Sequence, residues 1–242
     1  MLLGEYILNM DNILTLYHGS ENIIRRPVYG VGKPYNDYGL GFYCTLDNSM
    51  AKEWAVGQNR DGYSNRYSID TANLKILDLQ QDVFSILNWL AILVNNRTFD
   101  IQSDFGYEAI DYLTRFFLPE RLDTFDIIVG YRADDSYFSY AQDFLNNIIS
   151  VKTLSRAMSL GNLGVQYAVK SELAFNLLQF ESYEVANANE WFPRKISRDT
   201  KARNDYQEIR HEKWVPGEIY MMQIIEQEIK NDDSRLRPNF TI

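Results

Sequence analysis

The chain has 242 residues, enough for one large domain or for one domain with an appendage. Its residues are 45% hydrophobic and 24% charged, an ordinary globular balance that excludes disorder, collagen and coiled coil for the whole. With 24 Lys+Arg against 33 Asp+Glu the formal charge is −9, so non-specific nucleic-acid binding is not expected.

Residues 12–18 predict a strand with Leu14, Leu16 and His18 on one face, ended by Gly19-Ser20. A loop broken by Pro27, Gly30, Gly32, Pro34 and Gly39 follows over 21–40. Gly41–Thr45 predicts a short strand, and Asp47 or Asn48 caps a helix running to about Asn59. Asn65–Ile69 reads as a strand. The clearest helix is 82–97, where Val83, Ile86, Leu87, Leu90, Leu93 and Val94 repeat at helical spacing. Another helix covers about 107–117, and the apolar run Phe125–Gly130 suits a buried strand. Helices over 136–148 and 151–160 precede a strand at 164–169, a short helix at 171–178 and a strand at 180–185. Beyond Ala186 the chain becomes highly charged and helical by pattern, with a last helix near 218–230 after Pro216-Gly217. No internal repeat is evident. The expected domains are 1–186 and a helical C-terminal extension, 187–242, packed on it.

A single cysteine, Cys44, excludes an internal disulfide framework, and with only His18 and His211 no His/Cys zinc site is expected. The longest apolar run, near Trp89–Val94, falls far short of the roughly 20 residues of a membrane helix. The N-terminal stretch carries Glu5 and Asp11 and no basic region, so a cytoplasmic location is expected.

Two segments carry candidate chemistry. In Leu16-Tyr17-His18-Gly19-Ser20, an imidazole lies beside a backbone that a ligand can approach closely. Such a histidine also fits as a residue simply satisfied at a strand end. In Asp37-Tyr38-Gly39-Leu40-Gly41-Phe42-Tyr43-Cys44-Thr45, alternation sends Phe42 and Cys44 to one face and Tyr43 to the other. That makes Cys44 a core residue, and leaves Tyr43 either stacked on a flat ring or ordinarily packed. Asp134-Asp135 after the 125–130 strand either orients an acceptor or starts the next helix. Arg25 and Arg26 suit a pyrophosphate or a solvated loop. The basic residues of 194–213 alternate with acids, which favours a solvated face, and His211 is expected to face solvent.

Together, His-Gly-Ser, a spacer of about twenty residues, Gly-x-Gly-Phe-Tyr and a helix bearing an aromatic resemble the ADP-ribosyltransferase fold. The resemblance is to the branch with a His–Tyr–Glu triad, as in poly(ADP-ribose) polymerases and diphtheria toxin. Tyr17–Ser20, Asp37–Thr45, Asn88–Arg97 and Asp126–Phe138 resemble, more narrowly, a bacterial family catalogued as domain of unknown function 3990. Members of that family are regarded as toxin-like transferases, often encoded beside a small antitoxin. The resemblance spans roughly residues 14–185.

It implies an α+β fold with split, mostly antiparallel β-sheets around an NAD cleft, peripheral helices and the helical C-terminal extension. It implies that His18 bonds the adenosine ribose, Gly19 presents its backbone to the nicotinamide amide, and Tyr43 stacks on the nicotinamide ring. Ser20 would touch the ribose. Trp54 stands where a second stacking aromatic is placed, or else packs its helix. The polymerases carry a catalytic glutamate on a late strand, and here Val165-Gln166-Tyr167 holds that place. Cleaving the nicotinamide–ribose bond develops oxocarbenium character, which a carboxylate stabilises. Gln166 can bond a ribose hydroxyl but carries no charge and is no base. Poly(ADP-ribose) elongation is therefore not expected, while transfer of one ADP-ribose needs a base from the acceptor or from another carboxylate. Glu172, which opens a helix, is better read as favouring the helix dipole.

The expected function is mono-ADP-ribosyl transfer from NAD to a macromolecular acceptor, by the toxin of a toxin–antitoxin pair, with no metal. The alternatives are an NAD glycohydrolase and an inactive NAD-binding or protein-interaction module.

Overall fold

A computed structural model describes residues 12–133, 135–162, 164–212 and 215–236, without the side chains of 135–137. Two sheets and a helical layer stack in that order. The first sheet has strand order β1-β3-β7, from β1 (Ile13–Ser20), β3 (Gly62–Asp70) and β7 (Gln179–Ala186), all antiparallel. The second has order β2-β6-β5-β4, from β2 (Phe42–Cys44), β4 (Ile76–Asp78), β5 (Ile127–Tyr131) and β6 (Val165–Val169). Its β4–β5 pair is parallel and the other pairs antiparallel. A bridge between Tyr17 and Thr45 joins the sheets where β1 passes β2.

Period-two side chains explain the layering. Leu16, Phe42, Cys44, Tyr67, Ile69, Ile127, Val129, Tyr167 and Val169 form a core between the sheets. The alternate residues Leu77, Ile128 and Ala168 face a larger core made with the helices. Buried on both faces, β5 has the unbroken apolar sequence its position demands. Cys44 is fully buried and its thiol is pushed upward by desolvation, so it is a packing residue, as its alternation with Tyr43 predicts.

The helical layer centres on α2 (Ile86–Asn96), buried from Ile86 to Val94 and thus apolar around its circumference. It begins later than periodicity alone suggests. Ser85 and Asn88 form a capping box, and Val83 lies in the preceding turn, 37% exposed. Around it stand α3 (Asp104–Phe116), α4 (Asp135–Leu145), α5 (Val151–Ser159) and α8 (Met221–Glu226). The last is shorter than the predicted 218–230. Two further helices flank the first sheet: α1 (Asn48–Ala55), capped by Asp47, and α6 (Glu172–Leu177), capped by Ser171. Strand β4, three residues long, has no counterpart among the predicted elements.

The C-terminal segment opens with α7 (Ala188–Arg210), 23 residues long. Its Ala202, Tyr206 and Ile209 are buried. Tyr206 stacks on Tyr140 of α4 at 3.7 Å between centroids, and its hydroxyl donates to Asp143 at 2.6 Å. Arg198 pairs with Glu53 of α1 at 2.8 Å, both side chains nearly buried. So α7 clamps α1 to α4. His211, its C-cap, is exposed as expected.

Candidate functional site

A cleft of about 700 Å³ opens between the two sheets, the loop before β2 and α7. His18, Gly19, Tyr43, Trp54 and Gln166 all line it, brought together from β1, β2, α1 and β6. Ser20 does not line it: it closes β1, and its Oγ accepts the Asn22 amide at 3.2 Å. Asp134 lies outside the described residues. Asp135 opens α4, and its side chain is outside them as well.

His18 sits near the end of β1, opposite the fully buried Asn65. Asn65 Nδ2 donates to the His18 carbonyl at 3.3 Å and its Oδ1 accepts the Ile24 amide at 2.9 Å, which folds the following loop back over the strand. The imidazole stacks on Phe42 at 4.1 Å. Its Nδ1 bonds the Tyr43 carbonyl at 2.7 Å. A carbonyl only accepts, so Nδ1 carries the proton. Burial lowers the imidazole below its ordinary value of 6.5, so near neutral pH Nε2 is an acceptor.

Gly19 answers a packing demand as well as lining the cleft. A Cβ there would collide with the Ala51 carbonyl and lie 2.9 Å from the Ala55 nitrogen of α1. The close approach of α1 requires glycine at 19.

Tyr43 is fixed by its hydroxyl, which donates to the Gly39 carbonyl at 2.5 Å and accepts the Tyr38 amide at 3.1 Å. Gly39 has φ +73°, the left-handed conformation that turns the loop into β2. Burial pushes the phenol well above its usual range, so Tyr43 offers a ring rather than an acid or base. The Arg132 guanidinium lies over Trp54, 4.3 Å from the indole ring centroid, and among the described residues the indole N–H is buried without a hydrogen-bond partner.

Gln166 is 4% exposed and faces Asp37, a residue that sequence reasoning did not single out. Gln166 Nε2 donates to Asp37 Oδ2 at 2.8 Å and to the Tyr131 carbonyl at 3.2 Å. Asp37 Oδ2 also accepts the Ala133 amide at 2.9 Å, and Oδ1 accepts from Arg97 at 2.9 Å. The Tyr131 carbonyl further accepts Tyr38 Oη at 2.7 Å and Trp89 Nε1 at 3.1 Å. The loop, α2, β5 and β6 meet in this network.

Five cations line the cleft among the described residues: Arg26, Arg97, Arg132, Lys195 and Arg203. Among the described residues only Asp37 and Asp199 oppose them. The described lining is thus cation-rich in a chain whose net charge is −9. Arg25, by contrast, lies over the Phe180 ring at 5.2 Å. Lys195, Asp199 and Arg203 fall at i, i+4 and i+8 of α7, so one stripe of the charged segment faces the cleft rather than solvent. No group of three or more His, Cys, Asp or Glu residues able to hold a metal occurs among the described residues. No described helix is long and apolar enough to cross a membrane.

Residues 14–180 match the model of a family described as a protein of unknown function, DUF3990. The chain belongs to the DUF3990 family. The segment shared with DUF3990 runs from β1 to the start of β7 and holds His18, Asp37, Tyr43, Trp54 and Gln166. Helix α7, with its three cleft residues, follows the DUF3990 segment. No curated protein and no solved structure matches.

Proposed function

We propose that this chain is an NAD-dependent mono-ADP-ribosyltransferase acting on a macromolecular acceptor. One observation carries the reading: His18 and Tyr43, joined through the 2.7 Å bond to the Tyr43 carbonyl, share a cation-lined cleft with Trp54 and Gln166. The cleft falls in the size range of small-molecule sites, about 300–1,000 Å³. In this reading His18 Nε2 accepts a hydroxyl of the adenosine ribose, Tyr43 and Trp54 offer rings to the nicotinamide, and the arginines meet the pyrophosphate. Gln166 holds the other ribose. The bond between ribose C1 and the nicotinamide nitrogen breaks, its electron pair leaving with neutral nicotinamide. A lone pair of the acceptor forms the new bond to C1, and the acceptor's proton passes to water. The resemblance to ADP-ribosyltransferases supports the same reading, and the toxin role, with a small antitoxin as partner, rests on that resemblance alone.

A second reading, an inactive NAD-binding module, is favoured by Gln166 where a carboxylate is expected. Calorimetric titration of NAD into the chain, then product analysis of the same mixture with cell lysate, separates the two. Binding with nicotinamide release and ADP-ribose on a lysate component supports transfer. Binding without nicotinamide release selects the inactive module, and no binding to the folded protein removes both.

A further inference from the structure

The two N–H groups of Gln166 point at fixed acceptors, Asp37 Oδ2 and the Tyr131 carbonyl. Neither acceptor can donate while Asp37 is ionised, so the amide has one orientation. Its Oε1 is therefore the end left over, and among the described residues it has no hydrogen-bond partner. Asp37 is itself held from three sides, by Arg97, the Ala133 amide and Gln166, and is 6% exposed. A carboxylate at 2.8 Å polarises the amide and increases the negative character of its oxygen.

Resting on the NAD reading above, we propose that Asp37 and Gln166 act as a relayed carboxylate, Asp37 fixing and polarising Gln166 so that Oε1 serves the nicotinamide ribose. The charge that a glutamate would carry at position 166 is displaced by one hydrogen bond to position 37. Asp37 is a positioning residue in this arrangement and Gln166 makes the ribose contact. No proton moves between them. Oε1 stabilises the charge growing on the ribose while the nicotinamide leaves with the electron pair.

The arrangement makes Gln166→Glu an unusual substitution. The new carboxyl lies against Asp37, and two carboxylates sharing a site cannot both ionise freely. Arg97 already binds the other Asp37 oxygen, and Tyr38 and Tyr43 stay protonated because burial raises both phenols. Arg132, Lys195 and Arg203 on the cleft walls oppose the effect, and Asp199 adds to it. When protonated, the introduced carboxyl donates to Asp37 and presents its carbonyl to the ribose, imitating the native amide.

The test uses native chain, Gln166→Glu, Asp37→Asn and the double variant, each melted between pH 4.5 and 8. Nicotinamide release from NAD with cell lysate is followed alongside. Gln166→Glu should lose stability relative to native as pH rises above the ordinary glutamate value of about 4.3, because the folded state holds the shared proton more tightly. Asp37→Asn should lower kcat at least about tenfold with KM little changed. The double variant returns the charge to position 166, so it should lose the pH-dependent instability and recover kcat. If Gln166→Glu melts with the native pH profile, Asp37 does not face position 166 and the proposal falls. A double variant no more active than Asp37→Asn overturns the relay. Should the instability appear while the native chain releases no nicotinamide, the transferase reading fails, and the relay role with it, although the pairing stands.

Discussion

Tyr43→Phe separates the ring of this residue from its hydroxyl. Phenylalanine keeps the ring but strands the Gly39 carbonyl and the Tyr38 amide, the two groups the hydroxyl holds at 2.5 and 3.1 Å. Each lost bond is worth about 1 kcal/mol net, and a group left buried and unpaired costs about 1–3 kcal/mol. Tyr43 borders the cleft, so water has access to the stranded groups, and the loss falls near the lower end, about 2 kcal/mol. About 2–4 °C accompanies each kcal/mol in a domain of this size, so Tm should fall by about 4–8 °C. Urea unfolding should show a lower midpoint at an unchanged slope. NAD affinity, measured by calorimetry well below Tm, should stay within about threefold of native because the stacking ring remains. Tyr43→Ala should lose affinity as well, by about 1–3 kcal/mol if the ring carries the stack. A native urea midpoint for the Phe variant would refute the hydroxyl clamp. A Phe variant that no longer binds NAD would refute the stacking role.

Three other outcomes are expected. Burial depresses His18, so on acidification the unfolded chain takes up its proton before the folded one. Stability is full above about pH 6.5 and falls as pH drops through that value toward the depressed one; His18→Asn should flatten this acid limb in thermal melts, and an unchanged limb would contradict the assignment. Gly19→Ala forces a Cβ against the α1 backbone and should cost about 3 kcal/mol, the upper end of overpacking, by urea unfolding. Native stability for that variant would mean α1 does not approach so closely. Arg198→Ala leaves Glu53, whose carboxyl burial already raises, without its partner. A cost of about 2 kcal/mol is expected, below the 3–5 kcal/mol of a fully buried pair. Hydrogen exchange should quicken in α7 before the sheets, and uniform quickening would argue against a local clamp.

Much of this arrangement is legible in the sequence because short-range patterns write it. Alternation places Leu16, Phe42 and Cys44 on the inter-sheet face, and the Gly-x-Gly turn marks where β2 begins. What escapes is what depends on distant partners. Asp37 heads the candidate segment Asp37–Thr45, but it lies in the stretch read as loop, where no local pattern gives its carboxylate a role. Its partners lie 60, 96 and 129 residues away. Strand β4 is too short to alternate and exists through its parallel pairing with β5. Val83 continues the helical period of α2, yet the Ser85–Asn88 box starts the helix after it. The cleft stripe of α7 does leave a trace, since Lys195, Asp199 and Arg203 recur every four residues, but interleaved acids mask it.

The position of α7 separates inheritance from selectivity. The DUF3990 segment supplies the second sheet, most of β1 and all of β3, His18, Tyr43 and the Asp37–Gln166 network, whereas part of the cleft's charge arrives on a helix encoded after it. Such a wall can change its charges through solvent-side substitutions while the strand registers and both cores stay intact. Two chains alike across residues 14–180 can thus differ in which anion they admit. A chain cut back to that segment would bare the surface now under Ala202, Tyr206 and Ile209, making it prone to self-association as well as altered in ligand preference.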